Sequence, residues 1–329
     1  MISLINYCAF FSAEKKRDNG EDSEAHSINR DAAFCGVFDG CGGAGAQISK
    51  YKGKTEAYLA SRVAADTFLD WFDAGDPRSG WDAGALKTKL VDNLTEVKEK
   101  FGEKSMLIGG IRKKLPTTAA AAICRRGQKS IEIDLYWAGD SRVYLLTPQG
   151  LAQLTEDDLG GIDAMQNLSD DGVLTNMINL TRDFTIHTGH VSLDRPGIVF
   201  AATDGCFGYF RTPMEFEYLL LETMLQADCV SSDPAGVDPA WNERMAGRIL
   251  TGWEETLREK IGQIAGDDYT ISGFAIGFDS FQAQKKAFAA RANELYARYI
   301  NGIDDKNHAE LLTMWQEYKE PYHRFLCRP

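Results

Sequence analysis

The chain has no CxxC pair, no surplus of basic residues and no apolar run long enough to span a membrane. Its seven cysteines (Cys8, Cys35, Cys41, Cys124, Cys206, Cys229 and Cys327) are odd in number and scattered. That pattern opposes a disulfide framework or a thiolate zinc site and favours free thiols in a reducing compartment. A formal charge of −12 argues against a nucleic-acid binder, which needs a basic face to displace phosphate counterions. The opening MISLINYCAFFSA has no basic residue ahead of its apolar stretch and alternates like a strand, unlike a secretory leader. The expectation is a cytoplasmic protein with no nucleic-acid or membrane partner. At 329 residues, 44% hydrophobic, the chain can bury a sizeable core.

Runs rich in β-branched and aromatic residues predict strands at INYCAFFSA, AFCGVF, TTAAAAIC, IEIDLYWA, SRVYLLT, FTIHTGHVSL, GIVFAAT and YTISGFAIGF. Helical spacing predicts two helices over 56–72 and 85–101, and two more over 213–226 and 240–264. IEIDLYWAGDSRVYLL reads as a hairpin turning at Gly139–Ser141, and residues 156–180 as a polar surface loop or flap. Runs of strands interrupted by helix pairs suit antiparallel sheets with helices outside, an α+β class, and not a βαβ alternation. Residues 281–300 and 308–318 predict two further helices packed back on residues 1–278 or serving regulation.

Aspartates stand where the apolar runs stop: Asp39, Asp140, Asp204 and the pair Asp267–Asp268, with Asp31 opening the run that Asp39 closes. One Asp-Gly is an ordinary turn. Several carboxylates at one sheet end repel one another unless cations neutralise them. Oxygen ligands without a His or Cys cluster select hard ions, Mg²⁺ or Mn²⁺. Gly40, lacking a Cβ, lets the backbone come close enough to offer a carbonyl.

FDGCGG, TTAAAAI, WAGDSRVYLL, LTEDD, FAATDG and GDDYT resemble, in order and spacing, the motifs of the metal-dependent protein serine/threonine phosphatases of the 2C type, bacterial members above all. The resemblance covers most of residues 1–278. It implies a four-layer α-β-β-α sandwich of two mostly antiparallel sheets flanked by helix pairs, with a two-metal site at one end. It also implies a catalytic domain over 1–278 and a helical extension over 279–329. Asp39 would bridge two ions and Gly40 give its carbonyl to one, while Asp204 and Asp267 hold the other. Asp31, in NRD, would fill the family's Asn-x-Asp element, and Asp140 would help hold a third, weaker ion. Two ions acidify a water between them and stabilise an in-line phosphoryl transfer, so no nucleophilic Ser or Cys is required. No Cys-x5-Arg loop of the tyrosine-phosphatase kind is present.

The family usually carries an arginine three residues before the Asn-x-Asp element, where it grips the substrate phosphate. With the element set at 29–31, His26 takes that place, leaving His26, Arg30 or the Lys15–Arg17 stretch as phosphate contacts. Cys41 stands where relatives carry His or Met, either filling space or offering an oxidisable thiol. The implied activity is dephosphorylation of phosphoserine and phosphothreonine in a protein substrate with a cognate kinase, by a monomeric enzyme. A catalytically silent phosphatase fold that binds a phosphoprotein, and a small-molecule phosphomonoesterase, are the alternatives.

Overall fold

The computed structural model describes residues 5–15, 17–77, 79–101, 114–160, 163–168, 172–227 and 253–329. Among the described residues, ten strands form two antiparallel five-stranded sheets. They are β1 (Ile5–Ala13), β2 (Ser23–Ile28), β3 (Ala32–Phe38), β4 (Ala119–Arg126), β5 (Ile131–Ala138), β6 (Arg142–Thr147), β7 (Gly150–Gln153), β8 (His187–Leu193), β9 (Gly197–Ala202) and β10 (Tyr269–Ile276). One sheet runs β1-β10-β9-β6-β7 and the other β2-β3-β4-β5-β8.

Alternation sorts the side chains of each strand between two cores. In β3, Cys35 and Val37 join Trp137, Val143 and Ala201 between the sheets. Phe34 and Phe38 point the other way, against α1 (Glu56–Ala74) and α2 (Ala83–Phe101), where Phe34 stacks on Phe72 at 5.3 Å. Thr55 caps α1 by accepting from Tyr58 N. After the single turn α3 (Asp204–Phe207), the outer face of the first sheet carries α4 (Pro213–Gln226), opened by a Thr212–Glu215 capping box, and α5 over 253–264. The order helices, sheet, sheet, helices is the expected four-layer arrangement. The start of the expected helix over 240–264 lies outside the described residues; 253–264 is helical.

Two expectations about the strands are corrected. β5 and β6 do not form a hairpin: β5 pairs with β4 and β8, whereas β6 pairs with β7 and β9 in the facing sheet. The Gly139–Ser141 turn, with Gly139 at φ 108°, passes the chain from one sheet to the other. The strand β2 was not anticipated, because SEAHSI is polar and its burial only half alternates.

Residues 279–329 are built into the body. α6 (Phe281–Leu295) runs through a π-helical turn, Tyr296–Ile300, and is followed by α7 (His308–Tyr322). Phe288, Trp315, Tyr318 and Tyr322 are buried in the same core as β6 and β9. Arg291 reaches Glu217 of α4 through two bonds of 2.7 and 2.9 Å, and Tyr318 donates its hydroxyl to the same carboxylate. Glu217 is wholly buried, so it depends on those donors. Beyond α7, Cys327 N donates to Leu154 O and Glu156 N to Cys327 O, laying the tail beside the start of the 156–180 loop.

Removing one partner of a buried ion pair leaves an uncompensated charge. Arg291→Ala is therefore expected to lower stability by about 3–5 kcal/mol in urea unfolding. A loss below about 1 kcal/mol would contradict the pair's role in tying the extension to α4.

Candidate metal centre

The pairing register brings the acidic residues together. Ser23 opposes Phe38 across β2 and β3, so Asp22 and Asp39, the next residues outward, are neighbours at one end. Ala119 opposes Ala138, which sets Thr117, Thr118 and Asp140 at that same end of the second sheet. In the first sheet Ala202 opposes Ile271, placing Asp204, and Asp267 with Asp268, over the corresponding edge. Thr203 Oγ1 donates to Asp22 Oδ2 at 2.8 Å and accepts from Thr270 N, joining the two sheets. Asp39 is fixed through its backbone, whose carbonyl accepts from Thr117 Oγ1 and Thr118 N, both at 2.8 Å.

Two glycines permit this closeness. A Cβ on Gly205 would run into the carbonyl of Asp268, and one on Gly40 would lie 2.5 Å from the Ala57 carbonyl oxygen. Gly40 thus keeps the FDGCGG loop against the first turn of α1, and Gly205 keeps Asp204 against the Asp267–Asp268 turn.

The carboxylates raise one another's proton affinity. Burial pushes Asp22 up to about 7, with Asp204 and Asp268 adding to it and Thr203 opposing. Burial and then Asp204 and Asp157 push Asp140 up to about 8. Asp39 is raised well above the ordinary carboxylate range by burial and by Asp22, Asp204, Asp140 and Asp267. Asp204 is raised by burial and Asp267. Asp39, Asp140 and Asp204 nevertheless keep a solvent-facing edge. Arg142 lowers Asp140 and Asp204, but its guanidinium is engaged by Asp157 at 2.6 and 2.9 Å and lies 4.2 Å from the Phe207 ring. Burial and Asp39 hold the Cys41 thiol well above its ordinary range, which keeps it neutral and opposes easy oxidation.

Three sequence expectations are corrected. Arg30 and Asp31 occupy the β2–β3 hairpin, at the end of β3 opposite Asp39. A seven-residue strand spans about 23 Å, so Asp31 is out of reach of the cluster. The NRD stretch is instead an Asx turn, in which Asn29 Oδ1 accepts from Asp31 N and Ala32 N. His26 lies within β2, four residues from Asp22, and meets Glu24 at 2.9 Å. The residue near the cluster is Asp22, which sequence reasoning missed together with Glu21, whereas Arg17 lies in the Lys15–Arg17 stretch already named as an alternative phosphate contact. Arg17 precedes Asp22 by five residues, the separation that the family's arginine and Asn-x-Asp aspartate would have, with Gly20 in the place of the asparagine. The segment carrying it is held down by Asp268, whose carboxylate accepts from Lys15 N and Glu21 N at 2.7 Å each, and by Thr55, which donates to Glu21.

Asp158 forms a further anchor. It is buried, and its carboxylate takes Gly139 N at 2.8 Å, Asn176 Nδ2 at 2.7 Å and His187 Nε2 at 2.9 Å. The turn bearing Asp140 is thereby tied to the far end of the 156–180 loop.

Among the described residues no three His, Cys, Asp or Glu side chains are already gathered tightly enough to enclose an ion. The donor set fits hard divalent cations all the same: it is oxygen only, anionic, and short of a free counter-charge. An aspartate whose proton affinity rises on folding favours the folded state while protonated, and loses that contribution as pH climbs through its folded value. In chelator, melting temperature is therefore expected to fall by several degrees between about pH 5 and pH 8, the window set by Asp22 and Asp140. Mn²⁺ should restore it most at the alkaline end, and Asp22→Asn should flatten the profile in chelator. A profile already flat for the wild type would contradict the coupling.

No protein-family model and no curated protein sequence matches the chain at a significant level. Solved structures do. A bacterial serine phosphatase superposes with a TM-score of 0.54 at 16% identity, covering 83% of this chain and 98% of its own. The serine/threonine phosphatase Stp1 from Staphylococcus aureus gives 0.55 at 16%, covering 82% and 94%. The PPM Ser-Thr phosphatase MsPP from Mycobacterium smegmatis, in complex with cacodylate, gives 0.52 at 14%, covering 83% and 100%. The two five-stranded antiparallel sheets and their flanking helices are thus the fold of the PPM serine/threonine phosphatases.

Proposed function

We propose that this chain is a phosphatase dependent on Mg²⁺ or Mn²⁺ that hydrolyses phosphoserine and phosphothreonine in proteins. The observation that carries the reading is that Asp22, Asp140, Asp204 and Asp267, from both sheets, lie within electrostatic reach of Asp39 at one end of a PPM phosphatase fold. Asp39, the Gly40 carbonyl, Asp204 and Asp267 would hold two ions, with Asp22 in the part first assigned to Asp31 and Asp140 at a third, weaker position. When bound, the ions supply Lewis-acid stabilisation of the phosphoryl group and lower the pKa of a water.

The protein's own groups do the rest. Arg17, whose side chain is 96% exposed, offers a guanidinium fork to a phosphate dianion. Its segment is braced by Asp268, Thr55 and Ser61, the last donating to Glu21 O, so the fork is presented from an anchored base. Thr117 and Thr118 fix the backbone of Asp39. Cys41, held as a thiol, is suited to filling space beside Asp39 and not to nucleophilic attack.

Turnover of p-nitrophenyl phosphate is expected to require Mn²⁺ or Mg²⁺ and to fall at least ~100-fold in Asp39→Asn. Turnover that survives chelation, or that is equal in wild type and variant, would overturn the proposal. Arg17→Ala should raise KM for a phosphopeptide about tenfold, while Arg30→Ala leaves it unchanged. The opposite result would return the phosphate contact to the β2–β3 hairpin.

A further inference from the structure

A groove of about 320 Å³ lies between α4, the end of α5 and the π-helical turn of the C-terminal extension. Its wall is apolar: Tyr209, Tyr218, Ile264, Ile300 and Ile303 line it. Tyr209 and Ile264 are 46% and 43% exposed, and Tyr296, also exposed, packs its ring 5.8 Å from Tyr218. Three of the five large hydrophobic side chains that stand exposed among the described residues therefore gather at one place. Such clustering marks a binding surface more often than scattered single residues do.

The groove adjoins the carboxylate cluster. Ile264 is three residues from Asp267 and Tyr209 five from Asp204, so chain geometry keeps both within about 11–18 Å of the candidate centre. The Tyr209 ring also lies against Gly266, where an added Cβ would meet it at 2.5 Å. At the rim, Arg211 binds both Glu215 and Asp304 at 2.9 Å, leaving two carboxylates to one guanidinium. Asp304 is 94% exposed. The rim is thus net acidic on a chain of charge −12.

We infer that this groove is a docking subsite for the substrate protein, receiving a bulky apolar side chain three to five residues from the phosphoresidue, with an adjacent Lys or Arg facing Asp304. The inference rests on the phosphatase reading. A peptide of that length spans the separation between groove and cluster. Ile300, Ile303 and Asp304 belong to the C-terminal extension, so the extension would contribute to substrate choice without touching the reacting phosphate.

The test uses fluorescein-labelled phosphothreonine peptides carrying Leu-Lys, Ala-Lys or Leu-Glu at three to five positions on either side of the phosphoresidue. Binding is read by anisotropy, turnover by phosphate release, and p-nitrophenyl phosphate serves as the reference substrate. The wild type is expected to bind the best Leu-Lys peptide about tenfold more tightly than its Ala-Lys partner. Ile264→Ser should erase the Leu preference and Asp304→Lys the Lys preference, with p-nitrophenyl phosphate kinetics unchanged in both. Indifference of the wild type to the apolar residue at every position, or variants that keep its preferences, would overturn the subsite. Self-association abolished by Ile264→Ser, without any peptide preference, would assign the groove to a second copy and likewise overturn it. Failure of p-nitrophenyl phosphate turnover in the wild type would sink the phosphatase reading, while anisotropy would still decide the groove.

Discussion

Mutual repulsion among carboxylates is the constraint around which this molecule is arranged. Asp22, Asp39, Asp140 and Asp204 come from four different connections, and each has its proton affinity raised by a neighbouring carboxylate. Left to themselves, such groups would part. They are kept together because each is fixed through something other than its own charge. Asp39 hangs on threonine contacts to its backbone, Asp22 on Thr203, and the Asp140 turn on Asp158. Gly40 and Gly205 remove the side chains that would hold the loops apart. Strain of this kind is stored where a cation would release it.

Much of the architecture was legible in the sequence, for a physical reason. Strands buried on both faces are written as apolar runs, and AFCGVF, AAAAIC and GIVFAA are wholly or almost wholly buried. The aspartates that end them were legible for the same reason, since an acidic residue directly after a buried strand has few places to go. What stayed hidden was what periodicity does not encode. An apolar strand looks the same whether the next strand lies beside it or in the facing sheet, so GDS read as a hairpin when it is a crossing. SEAHSI, with His26 exposed and Ala25 buried, carries too weak an alternation to declare a strand. Missing it hid Glu21–Asp22 at its head. NRD then supplied a decoy, because an Asx turn uses the same residue types as a metal-binding corner.

The sandwich also separates two duties that its sequence interleaves. Aromatic contacts such as Phe34–Phe72 and Tyr144–Phe216 hold helices to the outer faces of the sheets. The ends of the strands are left to short polar links, where Arg142 with Asp157 and Asp158 with His187 fix the loops. Rigid slabs thus carry precisely cut edges, and chemistry can be tuned at the edge without repacking the slab.

The tail beside residues 154–156 has a further meaning. β7 is the outermost strand of its sheet, and an open strand edge is a template on which foreign chains add. Here α7 packs against β7, and Cys327 meets Thr155 as a short parallel bridge, so the border just beyond β7 is met by the chain that follows α7. During synthesis that cover arrives some 170 residues after the edge it shields, Cys327 following Thr155 by that interval. The segment after α7 thus occupies backbone groups just beyond an edge on which another strand could otherwise add.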